Sequence, residues 1–195
     1  MFRLSLSILP ILLSGCLSTC HNGIAENVPQ HSDSSLYLNN TIQVGDTAMR
    51  LVERGIMTPD IENKNLYNLV DNTFLGINFN RSIVSTYNGL VNGLFLFSRN
   101  FDKESEYQSV MNKIFKNIGN TYKQAKDTTY NVPGAQFDAY VHEYEWLSES
   151  KKMSVFFNKR SIDGFATLYD IQLYIIPQDS VIKNRHLTHL YPDNN

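Results

Sequence analysis

The chain has little of what most often reveals a function. Its 195 residues include only two cysteines, one tryptophan and six prolines, and acidic and basic residues nearly balance at a net charge of −2. This balance argues against a nucleic-acid-binding surface, which would be markedly basic. Cys16 and Cys20 both lie near the start of the chain, so no disulfide can hold a later domain together. Packing must stabilise that domain, and a hydrophobic content of 42% is enough for a core.

Sequence patterns of catalytic and cofactor sites are also missing. The Gly-x-Ser-x-Gly pattern of a nucleophilic serine does not occur, and there is no phosphate-binding glycine-rich loop. His186 and His189 have a metal-compatible spacing, but they lie in a polar tail without further ligands on a rigid element. Glu143 and Glu145 share one face of a predicted strand, where carboxylates are more often solvated than catalytic. We therefore predict a protein that is not an enzyme and that needs no cofactor or metal.

The first residues have the order of a secretory signal. A positive charge at Arg3 precedes the apolar residues 4–13, and two small residues follow at once. The apolar run is about ten residues long, well short of the roughly 20 that a transmembrane helix needs. This start predicts export from the cytoplasm.

Residues 13–16, Leu-Ser-Gly-Cys, resemble the lipobox of bacterial lipoproteins. In that family the chain is cut before the cysteine, which then carries a diacylglycerol thioether and an N-acyl chain such as palmitate. The resemblance implies that residues 1–15 are a signal peptide and that Cys16 is the lipid anchor, the alternative being a plain thiol. Two acyl chains already anchor a protein stably. Leu17 replaces the aspartate that favours the inner membrane, which implies the periplasmic face of the outer membrane in a Gram-negative host.

The rest of the chain divides by its patterns into three parts. Residues 16–40 are polar and aperiodic, which predicts a lipidated N-terminus followed by a flexible tether. Residues 41–177 contain all the periodic segments and are predicted to form one α+β domain with an antiparallel sheet. Residues 178–195 are a polar tail. Cys20 falls within the tether, where it either pairs between chains or is incidental.

The periodicities within the domain predict two helices and six strands. Apolar residues at steps of three and four predict a long helix over residues 103–118, and a shorter helix is predicted over residues 47–54. Asn88-Gly89 is a strong hairpin turn signal. Residues 66–70 are predicted as a turn of helix or a loop, and residues 127–134 as a loop. The predicted strands are residues 73–78, 83–87, 91–97, 137–147, 153–158 and 167–176.

The order of helix, three strands, helix and three strands suggests a tandem repeat of a helix-plus-meander unit. This order resembles the tandem-repeat β-lactamase inhibitor proteins. It is also similar to the small outer-membrane lipoproteins of the SmpA/OmlA type, in which a Val-Gly-x-Thr-like segment opens the first helix, as Val44-Gly45-Asp46-Thr47 does here. The second helix and its strands depart from the single unit of that family.

Three aromatic residues alternate along the predicted strand 137–147. Tyr140, Tyr144 and Trp146 share one face with His142, and Tyr and Trp are frequent anchors of protein interfaces. We take these three as candidate partner-binding residues, with core packing as the alternative. The sequence thus predicts a membrane-anchored, noncatalytic envelope lipoprotein that binds a protein partner, an inhibitor or immunity protein being a special case. The alternatives are a lipid or small-molecule binder and an envelope enzyme.

Overall fold

One antiparallel sheet of eight strands is the main feature of the computed structural model, which describes residues 36–119, 122–133, 138–162 and 166–178. This confirms the predicted α+β class. The elements in chain order are α1 (Ala48–Glu53), β1 (Met57–Pro59), β2 (Leu66–Leu69), β3 (Thr73–Phe74), β4 (Ile77–Asn78), β5 (Arg81–Tyr87), β6 (Leu90–Phe97), α2 (Glu104–Ile118), β7 (Lys123–Val132), β8 (Asp138–Leu147), β9 (Lys151–Ile162) and β10 (Ala166–Pro177).

The sheet consists of two meanders, each of which follows one helix. Its strand order is β1-β2-β5-β6-β10-β9-β8-β7, while β3 and β4 form a separate small hairpin. The last strands of the two meanders, β6 and β10, pair with each other at the centre of the sheet. The predicted helix-plus-meander repeat is therefore present, but each unit contributes four strands to the sheet instead of the predicted three.

The predictions for three segments were wrong. Residues 66–69 form strand β2, and most of the loop predicted at residues 127–134 belongs to β7. All ten residues of β7 are exposed, so this edge strand has no apolar alternation that could have revealed it. The single strand predicted at residues 73–78 is the β3–β4 hairpin, because Leu75 and Gly76 turn the chain at positive φ angles of 52° and 67°.

The hydrophobic core lies between the two helices and one face of the sheet, which we call the covered face. Ile114 and Ile118 of α2 are fully buried, as the helical periodicity predicts, and Ala48 and Leu51 bring α1 into the same core. The central strands contribute mainly apolar side chains here, with the hydroxyl of Ser82 buried among them. The apolar side chains with at most 1% exposure are Val84, Val91, Leu94, Leu96, Val155, Phe157, Ile171, Leu173 and Ile175.

The packed part of the chain begins earlier than the predicted boundary at residue 41. Leu36 and Leu38 are buried, and Leu38 belongs to the core. The Lys151 ammonium donates a hydrogen bond of 2.7 Å to the backbone carbonyl of Tyr37. The last residues of the predicted tether are therefore part of the domain. The signal peptide, Cys16, Cys20, His186 and His189 lie outside the described residues.

Candidate functional site

The predicted partner-binding residues on β8 lie mostly beneath a helix. Trp146 is 1% exposed, and its ring centroid lies 5.5 Å from that of Phe115 on α2. Tyr144 packs edge-on against the same Phe115 ring at 4.7 Å. Trp146 and Tyr144 are therefore not a free binding face, because α2 covers them, and the prediction is wrong for both. Tyr140 lies beyond the helix and is 46% exposed.

His142 joins the edge strand β7 to β8. Its Nε2 lies 2.7 Å from Oδ1 of Asp127, and its Nδ1 lies 3.3 Å from the Tyr144 hydroxyl. A carboxylate, an imidazole and a hydroxyl in series resemble the parts of a nucleophilic site. Burial raises the pKa of Tyr144, so its hydroxyl stays protonated at neutral pH. These contacts connect the edge strand to β8 through His142.

The two glutamates of β8 each form an ion pair on the opposite face of the sheet. Lys126 Nζ lies 2.9 Å from Glu143, and Lys152 Nζ lies 3.3 Å from Glu145. Glu143 is 9% exposed, so the expectation of a simply solvated side chain is wrong for it. Because each carboxylate already has its own ammonium partner, the two do not form an acid–base pair.

The surface cavities in the described part of the chain include two candidate binding sites. One of about 400 Å³ is lined by Asn131, Tyr140, Lys159 and Ser161. The other, of about 350 Å³, lies at the start of α1 beside Asp46. Neither is an apolar pocket between helix and sheet, so they give no support to the lipid-binding alternative. Among the described residues, no group of three or more His, Cys, Asp or Glu side chains could hold a metal, and no helix there could span a membrane.

The face of the sheet opposite the helices, which we call the open face, has an aromatic cluster at its centre. Four partly exposed rings form it, from Phe95, Phe97, Phe156 and Tyr174. The Tyr174 ring lies 5.1 Å from Phe95, 6.2 Å from Phe97 and 5.0 Å from Phe156, measured between centroids. None of the four belongs to the hydrophobic core under the helices. The strands thus carry a second apolar surface that no described helix covers.

Four ion pairs surround this aromatic cluster. Glu143 lies directly across from Phe156 on the neighbouring strand, and Arg81 lies directly across from Phe97. The nitrogen–oxygen distances lie between 2.6 and 3.3 Å. The pairs are Arg81–Asp60, Lys126–Glu143, Lys152–Glu145 and Arg160–Asp170. The open face therefore has an apolar centre and a charged but internally neutralised rim.

A buried carboxylate orders the side chains beside the cluster. Asp170 accepts hydrogen bonds from Asn158 at 2.9 Å and from Gln172 at 3.3 Å, and it pairs with Arg160. Gln172 in turn accepts a hydrogen bond of 2.7 Å from the Tyr174 hydroxyl. Burial raises the pKa of Tyr174, so this hydroxyl remains a donor at neutral pH. The network therefore fixes the one ring that contacts the other three.

Comparison with known proteins gives no match, either to a protein-family model or to a curated protein sequence. The candidate site, the aromatic cluster, is therefore supported by its geometry alone. The sequence contained one indication of this cluster, because Phe95 and Phe97 alternate with Leu94 and Leu96 along β6.

Proposed function

We propose that this protein is a lipid-anchored, noncatalytic protein of the bacterial envelope that binds another protein through the open face of its sheet. The observation that carries the proposal is the aromatic cluster with its rim of ion pairs. A hydrophobic centre enclosed by a polar rim is the usual anatomy of a protein–protein interface. Aromatic residues are also the side chains that most often dominate binding energy there.

The charges of the open face favour a protein over a lipid bilayer as the occupant. Surfaces that lie on membranes present lysine and arginine side chains to anionic lipids. Here Arg81, Lys126, Lys152 and Arg160 each lie within 3.3 Å of a carboxylate of the same chain. Such a face offers little attraction to lipid phosphates, whereas an apolar protein surface can pack on its rings.

The anchoring part of the proposal is tested at Cys16. The segment Leu-Ser-Gly-Cys predicts that this residue is acylated after cleavage of the signal peptide. Cys16→Ser should abolish metabolic labelling with palmitate and leave the uncleaved precursor. Cys20→Ser is the matched control and should be labelled like the unchanged protein. Undiminished labelling of Cys16→Ser would exclude this anchor.

The binding part is tested by site-specific photo-crosslinking in intact cells. A photoreactive p-benzoylphenylalanine at Phe97 should give a covalent adduct with a discrete protein, because this ring belongs to the aromatic cluster. The control places the same group at Met49 of α1, which is 59% exposed and lies on the helical side. An adduct from Met49 but none from Phe97 would contradict the proposal, and so would lipid adducts alone from Phe97.

A further inference from the structure

We infer that the partner presents an uncharged, apolar protein surface to the open face, an inference that rests on the proposed function. Its basis is that the charged groups beside the rings and the hydroxyl of Tyr174 already have partners within the chain. At the centre of the face, the rings themselves are what a partner would contact.

The ion pairs beside the rings neutralise the charges nearest to the aromatic cluster. Lys126 and Lys152 have Glu143 and Glu145 as partners, and the hydrogen bond to Glu143 is the main cause that raises the pKa of Lys126. A charged group of a partner would have to compete with these contacts. A charged group that did not displace one of these contacts would lose water without gaining an opposite charge, which costs free energy at a buried interface.

The hydroxyl of the aromatic cluster is also engaged within the chain. Tyr174 donates to Gln172, and Gln172 donates to Asp170. Tyr174 therefore offers its ring to a partner while its hydroxyl is held by β10 itself. Phe95, Phe97 and Phe156 have no polar atoms in their side chains. Aliphatic or aromatic side chains of a partner are the groups that gain most by packing on such a surface.

The ion-paired carboxylates beside the rings do not favour a basic partner. A lysine or arginine of a partner could stack on a phenylalanine ring. It would meet the pairs Arg81–Asp60 and Lys126–Glu143, whose charges cancel, so it would lose water without a net electrostatic gain. An uncharged apolar surface has no charge hydration to lose.

The test is the salt dependence of the adduct from p-benzoylphenylalanine at Phe97, formed in washed native membranes. Raising the salt concentration from about 50 mM to about 500 mM shortens the Debye length enough to weaken charge-driven association strongly. We expect adduct yields that agree within about twofold, because apolar contacts are not screened. A loss of about tenfold or more at high salt would overturn the inference.

A double variant tests the role of the rim charges without a change of salt concentration. Replacing Lys152 and Glu145 together by glutamine removes one ion pair without changing the net charge, and the adduct yield should stay within about twofold of the original. Fluorescence of the single tryptophan, Trp146, reports that the core is intact. A large loss of adduct from this folded variant would mean that the partner reads the rim charges. No adduct from Phe97 at either salt concentration would instead overturn the proposed function.

Discussion

The two faces of the sheet are built from the same strands but differ in what their side chains do. On β9, Phe157 is 1% exposed beneath Tyr107 and Phe115, while its neighbour Phe156 lies partly exposed on the open face. The covered face is almost entirely apolar in its centre, whereas the open face combines rings with ion pairs. Folding requires one buried apolar face, so the aromatic cluster on the other face calls for a different explanation. Binding a partner provides one.

The neighbouring phenylalanines of β9 provide the strongest test of this difference. Phe157→Ala should lower the free energy of unfolding by about 3–5 kcal/mol, because it leaves a cavity in the core. Phe156→Ala should cost less, about 1–2 kcal/mol, because its ring is already partly exposed and its removal leaves no enclosed cavity. Denaturant unfolding of both variants measures the two values. Equal costs would mean that the faces contribute alike to folding.

Residues 36–40 should contribute to the stability of the core beneath the covered face. Leu38→Ala should lower the free energy of unfolding by about 2–4 kcal/mol, because Leu38 is 2% exposed within the core. The control is Ile61→Ala at a fully exposed side chain, which should change stability by less than about 0.5 kcal/mol. The two variants are compared by urea unfolding. If Leu38→Ala matched its control, residues 36–40 would belong to a tether after all.

Alkaline pH should lower the free energy of unfolding through Tyr107, which is buried at the covered face. Burial raises the pKa of Tyr107 above its ordinary value, so the folded state resists loss of this proton more than the unfolded chain does. The stabilisation is complete below about pH 10 and is lost as the pH rises towards the folded pKa. Tyr107→Phe should therefore reduce the fall in unfolding free energy between about pH 8 and about pH 11. An unchanged fall would assign the alkaline sensitivity to other tyrosines.

The accessible ion pair Lys152–Glu145 of the open face should contribute least to stability. Lys152→Gln removes the pair with Glu145, whose two side chains are 38% and 20% exposed. Pairs that are this accessible to water usually stabilise by less than about 1 kcal/mol. We expect a change of that size or smaller in thermal unfolding at low salt. A much larger loss would indicate that the rim is part of the folding core.

Much of the framework could be predicted from the sequence. The three- and four-residue steps predicted α2, and Asn88-Gly89 predicted the β5–β6 turn, where both residues have positive φ angles of 51° and 77°. Residues 36–38 were missed because their leucines are enclosed by polar residues. Strand β7 was missed because an exposed edge strand follows no burial pattern.

The location of the candidate site could be predicted only in part. Both β6 and β8 alternate large side chains on their two faces, so the sequence does not reveal which face a helix will cover. Tertiary packing decides this, and it places Phe115 over Tyr144 and Trp146. The aromatic face predicted on β8 is thus mostly covered by α2, while the aromatic cluster lies on the other side of the sheet. Phe156 and Tyr174 come together with Phe95 only through the strand pairing.

The covered face is expected to stabilise the fold, and the open face is expected to bind a protein. The most direct measurement is the yield of the photo-adduct from Phe97 in a protein that also carries Phe156→Ala. We expect the yield to fall about tenfold or more, as for loss of a central interface anchor, while Trp146 fluorescence and cooperative unfolding persist. An undiminished adduct from the folded variant would contradict this expectation.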